Sequence, residues 1–165
     1  MFLELKKFKE IVQNAPLIAI DIFIIKNGKL LLGRRKNAPG KNLFFVPGGR
    51  IMKNETINQA FVRILNKETN FILKNKSISS FFIGLDEHFY EDNFLDNNEF
   101  NTHYIVLLFL LKFDDLESTN NKINLEEQHH EHLWFDNKRD IEIIENMNIY
   151  MKGYLKRPEI KKLIN

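Results

Sequence analysis

Two apolar runs, residues 17–25 and 29–34, flank the dipeptide Asn27-Gly28 and restrict the fold more than any other stretch. Both are rich in aliphatic and β-branched residues, which suit a pleated surface. Asn-Gly between them is a strong hairpin signal, because the type I′ two-residue turn needs positive φ at both positions. Two adjacent antiparallel strands are therefore expected. One residue breaks the first run: Asp21, inside PLIAIDIFII at residues 16–25. A buried carboxylate is costly unless it is satisfied, so Asp21 either bonds to backbone or faces a site.

Around this hairpin, Leu5, Phe8 and Val12 recur at helical spacing and predict a short amphipathic helix over 4–13, ended near Pro16. A Gly/Pro/Asn loop at 36–42 leads to a short strand at 43–46. Residues 56–68 set Ile57, Ala60, Phe61, Ile64 and Leu65 on one face and predict a second helix. Further strands are expected at 78–85, 103–112 and 131–135. The segment 86–101, rich in aromatic, Asp and Asn residues, reads as a functional loop. Residues 117–122 read as a flexible loop and the tail after 139 as one or two helices. The elements combine into a mixed sheet with helices packed on it, in one domain over 1–165.

Composition narrows the function. The 165 residues suffice for one domain, and 44% apolar with 28% charged residues describes a soluble globular chain. Lys and Arg are mixed with Asp and Glu to a net charge of +2, which gives no case for nucleic acid as a partner. The absence of cysteine excludes disulfides, cysteine zinc sites and a cysteine nucleophile. Acids and lysines interrupt MFLELKKFKEIV where a signal peptide needs an apolar core. The longest apolar run, Tyr104 to Leu111, is far below the roughly 20 residues that span a bilayer. A cytoplasmic protein with no membrane partner is expected.

The stretch GGRIMKNETINQAFVRILNKETNF, residues 48–71, carries the chemistry. Glycines let a main chain approach a ligand closely, and a carboxylate at the end of the helix, Glu68, suits a hard cation. Gly49, Glu55, Arg63, Leu65, Glu68 and Phe71 match the Gly-x5-Glu-x7-Arg-Glu-U-x-Glu-Glu-x-Gly-U frame of the Nudix box, where U is apolar. Three positions depart from it. Ile64 and Lys67 replace glutamates, and Asn70 replaces the closing glycine, a mild change because Asn tolerates the left-handed conformation. The box resembles that of the GDP-mannose mannosyl hydrolases, a Nudix subfamily that lacks the same two glutamates. Similarity runs from the first residues to about 135 and includes Gly33-Arg34-Arg35, Phe45 to Arg50, His88 to Phe94, Thr102-His103-Tyr104 and Glu127-Gln128-His129.

The resemblance implies an α+β Nudix fold, with the mixed sheet sandwiched between helices as α/β/α. It implies magnesium held by the Gly49 carbonyl, Glu68 and Gln128, and arginines Arg35 and Arg50 neutralising the departing GDP. Guanidinium forks suit that task. Tyr104 would donate to the leaving diphosphate, His129 would be the general base, and Asp21 and His88 would face the sugar. Phe2, Leu3 and Phe8 match residues that contact the nucleotide across a homodimer. The helix within 1–14 is accordingly expected to be an arm exchanged between protomers, with a core helix as the alternative. A zinc site over Gln128 to His132 is disfavoured, because adjacent histidines on a strand face opposite sides.

The missing carboxylates fit one chemistry. Attack of water on phosphorus needs metal charge on both nucleophile and phosphoryl oxygens. Attack on an anomeric carbon needs a good leaving group and one base, and a single displacement inverts the centre. The reaction implied is hydrolysis of GDP-mannose, with GDP-glucose as a second substrate, to GDP and free sugar. A conventional pyrophosphohydrolase and a catalytically silent nucleotide-sugar sensor remain as other readings.

Overall fold

The computed structural model describes residues 3–74, 77–118 and 129–164, with backbone alone at Ser118, His129 and His130. Strands β1 (Leu17–Lys26) and β2 (Lys29–Arg35) form the expected hairpin, with Lys26 opposite Lys29. Asn27 and Gly28 have φ of 51° and 74°, positive at both positions as a type I′ turn demands. Beyond the hairpin come β3 (Phe44–Phe45), β4 (Gly48–Arg50) and helix α2 (Ile57–Thr69), the first helix α1 being Leu5–Asn14. Strand β5 (Phe71–Leu73) pairs antiparallel with β8 (Leu116–Ser118) as a separate two-stranded sheet.

The main sheet is mixed. β1 runs parallel to β7 (Thr102–Lys112), from Leu17 opposite Tyr104 to Ile25 opposite Lys112, and β7 pairs antiparallel with β6 (Phe82–Tyr90). β2 pairs with β3 and with β9 (His129–Phe135). The chain closes with three short helices, α3 (Ile141–Glu145), α4 (Ile149–Tyr154) and α5 (Pro158–Lys161).

Strand alternation divides the core. Ile20, Ile22 and Ile24 of β1 pack with Ala60, Phe61, Ile64 and Leu65 of α2 on one side of the sheet. Ala19, Phe23 and Ile25 pack on the other side with Met151 and Tyr154 of α4 and Ile160 of α5. The sheet is therefore covered on both faces, the α/β/α layering expected of the family.

Several boundaries differ from the periodicity reading. β6 begins at Phe82, after a single 3-10 turn at Ser79–Phe81, and continues through Tyr90. His88 thus lies on a strand, not in a loop, because β7 pairs with this segment through Tyr90↔Thr102. The supposed flexible loop at 117–122 begins as β8, and residues 119–122 lie outside the described residues. The strand at 43–46 shortens to two residues, β9 starts two residues earlier than expected, and the tail forms three helices.

Candidate active site

β1 is shared unevenly between its neighbours. It pairs with β2 at Ile25 and Lys26, and with β4 at Ala19, Ile20 and Asp21. A cavity of about 590 Å³ opens here, walled by Asp21 of β1, Arg35 at the end of β2, and Gly49 and Arg50 of β4. Glu68 of α2, His88 of β6, Tyr104 of β7 and Phe8 of α1 complete the set of expected residues that line it. Leu3 does not line it and is half exposed. Phe2 and Gln128 lie outside the described residues. His129 opens β9 as the register partner of Arg35.

The α2 wall shows how the altered box folds. Thr56 caps the helix by accepting from the Gln59 N–H, while the Gln59 side chain accepts from the Thr56 N–H. At the other end Asn70 takes φ 59° and ψ 21°, as its replacement of glycine requires, and its N–H bonds to Asn66 O. Arg63 forks onto Glu55 at 2.6 and 2.8 Å and donates to the Arg50 carbonyl at 2.8 Å. Glu55, held below the usual carboxylate range first by this hydrogen bond, is thereby committed to fastening the loop that follows β4. Ile64 is buried against Gly49, where an added Cβ would lie 3.3 Å from Ile64 Cγ1. Lys67 and Glu68 both reach the cavity wall.

On the opposite side stand the arginines. Arg35 Nε is buried with no hydrogen-bond partner among the described residues, a donor suited to an anion. The Arg50 guanidinium lies 4.0 Å from the Phe8 ring centroid, a cation–π contact, and burial lowers its pKa. Phe8 also packs on Phe94, and Lys9 pairs with Glu99, so α1 rests on its own chain beside the cavity mouth. Burial raises the pKa of Tyr104, which keeps its hydroxyl proton available as a donor.

Asp21 is buried, and burial pushes its pKa up to about 7 against the lowering effect of Arg35. His88 is also buried, and burial brings its pKa down to about 4. Between them stands a residue that the sequence did not single out, Tyr154 of α4. Its hydroxyl is 2.5 Å from His88 Nε2 and 3.4 Å from Asp21 Oδ2. The only available signal was the i, i+4 spacing of Tyr150 and Tyr154 in the tail, which says nothing about a partner so distant in sequence.

The donor set fits a single hard cation. Glu68 is a buried carboxylate lining the same cavity as Gly49, and oxygen donors are what magnesium takes. Among the described residues no group of three or more His, Asp or Glu is placed to hold a metal. No helix among them is long and apolar enough to cross a membrane.

Residues 15–141 match the NUDIX domain. The chain belongs to the Nudix family. It is 34% identical over 109 residues to the low-salt glycan biosynthesis protein Agl8 of Haloferax volcanii, which covers 66% of this chain and 67% of that protein. It is 41% identical over 75 residues to an ADP-ribose pyrophosphatase of Methanocaldococcus jannaschii, 46% of this chain and 43% of that one. Among solved structures, a bifunctional NMN adenylyltransferase/ADP-ribose pyrophosphatase of Francisella tularensis, complexed with AMP and a manganese ion, superposes with a TM-score of 0.62 at 24% identity. That match covers 91% of this chain and 44% of the other. A MutT Nudix hydrolase of Burkholderia pseudomallei superposes at 0.63 and 16% identity, covering 88% and 99%. These likenesses establish the Nudix fold.

Proposed function

We propose that this Nudix protein hydrolyses GDP-mannose, and GDP-glucose as a second substrate, to GDP and the free sugar by water attack at the anomeric carbon. The observation that carries this reading is the wall presented by α2. Ile64 belongs to the core, Lys67 brings a cation to the wall, and Glu55 is engaged by Arg63. Glu68 is therefore the only carboxylate of the box that reaches the cavity. That set is poor for multi-metal attack on phosphorus and sufficient for departure of a diphosphate from carbon.

In this reading Arg35, Arg50 and Tyr104 bind the diphosphate and stabilise it as charge builds on the leaving oxygen. Magnesium, held by Glu68, the Gly49 main chain and Gln128, would add neutralising charge there. His129 takes a proton from water on the opposite face of the sugar, so the product is inverted. Asp21 and His88 face the hexose, and Phe8 the nucleotide. A glycan biosynthesis protein among the relatives accords with a sugar nucleotide as substrate.

A second reading has its own support, since another relative is named as an ADP-ribose pyrophosphatase. It would release a nucleoside monophosphate and a sugar phosphate. Hydrolysis in 18O-labelled water separates the two. Label in mannose, none in GDP, and a β anomer formed first is the expected result. Label in a phosphate product, or release of mannose 1-phosphate, would overturn the proposal in favour of the pyrophosphohydrolase.

A further inference from the structure

Helix α4 brings two phenols onto β6. Tyr150 accepts from the Phe89 N–H at 2.5 Å, donates to the Phe89 carbonyl at 2.8 Å, and stacks on the His88 ring with centroids 4.0 Å apart. One turn later, the Tyr154 hydroxyl stands between His88 Nε2 and Asp21 Oδ2. A hydroxyl has one proton to give, so these two contacts are not independent. An ionised Asp21 only accepts. Tyr154 then donates to it and accepts from Nε2–H, which leaves Nδ1 of His88 as an acceptor. A protonated Asp21 reverses the chain: it donates to Tyr154, Tyr154 donates to Nε2, and Nδ1 carries the ring proton. Among the described residues no hydrogen bond engages Nδ1, and His88 lines the cavity.

We propose that Tyr154 is a positioning residue that couples the charge of Asp21 to the tautomer of His88, so that Nδ1 meets a hexose hydroxyl as acceptor or as donor. The identity of the hydroxyl rests on the nucleotide-sugar reading; the coupling belongs to the free protein. The groups that face the pair are Arg35 from β2, Asp86 and Tyr90 from β6, Tyr104 from β7, and Tyr150 and Tyr154 from α4. Burial raises the pKa values of Tyr90, Tyr104 and Tyr154 and keeps these three neutral. Burial pushes Asp21 up to about 7 and His88 down to about 4, so between these values both are neutral and above them Asp21 is the charged member of the pair.

Long-range 1H–15N spectra of the full chain with labelled histidine read the tautomer directly, His88 being assigned by comparison with His88→Gln. At about pH 8.5 His88 is expected as the Nε2–H form, and at about pH 5.5 as the Nδ1–H form. Tyr154→Phe keeps the ring that packs edge-on against Phe23 and is expected to abolish this exchange. Asp21→Asn is expected to make the tautomer independent of pH. A wild-type tautomer identical at both pH values, or an exchange retained in Tyr154→Phe, would overturn the coupling. In turnover, Tyr154→Phe should raise KM for GDP-mannose about tenfold, the loss of one hydrogen bond, and leave inhibition by GDP unchanged. An equal weakening of GDP would place the defect in the fold and sink the positioning role. If the spectra behave as expected but GDP-mannose is not hydrolysed, the coupling stands and the substrate reading falls.

Discussion

Lys67 and Glu68 are neighbours on α2 and both reach the cavity, yet only one of them can serve a cation. Glu68→Gln removes the single box carboxylate on that wall and is expected to raise the magnesium requirement sharply and to cut turnover. Lys67→Ala removes no ligand and should be tolerated. Magnesium titration by calorimetry checks this: binding unchanged in Glu68→Gln would remove Glu68 from the metal site. A second contrast lies at the start of β9. General-base catalysis contributes about 10² to 10⁴ in rate, so His129→Gln should lose on that order while still binding GDP-mannose. His130→Gln should keep most activity. Equal losses, measured as kcat with binding followed separately, would move the base away from residue 129.

The elements differ in how plainly the sequence announced them. α1 poses a question that two chains can answer: Phe8 covers Arg50 of its own chain at 4.0 Å, whereas an exchanged arm would cover the partner's site. Mixing Phe8→Ala with Arg50→Ala distinguishes these arrangements, because only exchange rebuilds a site with both residues. With the contact made within one chain, the mixture is expected to show no more than the mean of the two variants; recovery above that mean would establish exchange. The β1–β2 hairpin, α2 and β7 were legible because Asn-Gly, an apolar stripe and a long aliphatic run each have one structural solution. β4, β5 and β8 are three residues each, too short for any period to show. The end of β6 was hidden differently. Glu87 and Phe89 are exposed while His88 is buried, an alternation masked by charge and aromatic content that reads as loop. Asp21 stands out as the break in an apolar run, and Arg35, Arg50, Glu68 and Tyr104 through the box and its flanks; all five line one cavity. Tyr154 was not found, since its contact with Asp21 spans 133 positions and leaves no local trace.

At the level of the whole molecule, the buried pair couples stability to pH in two opposed ways. Asp21 has its folded pKa raised from 3.8 to about 7, so the folded state holds this proton more tightly than the unfolded chain. Its effect on stability is most favourable near pH 4 and is lost as pH rises to about 7. His88 has its folded pKa lowered from 6.5 to about 4, so its contribution is present above 6.5 and is lost as pH falls toward 4. Each shift alone is on the order of a few kcal/mol at about 1.4 kcal/mol per pH unit. Between pH 4 and 6.5 the two slopes largely cancel, and the pair leaves wild-type stability nearly flat there. Removing one partner should expose the slope of the other. Asp21→Asn is expected to gain stability as pH rises over that window, and His88→Gln to lose it from pH 4 to about 7. Urea unfolding at a series of pH values checks both, with m-values confirming that the same surface is exposed. If either variant keeps the wild-type pH profile, the burial of that group does not govern its titration, and the cancellation is lost with it.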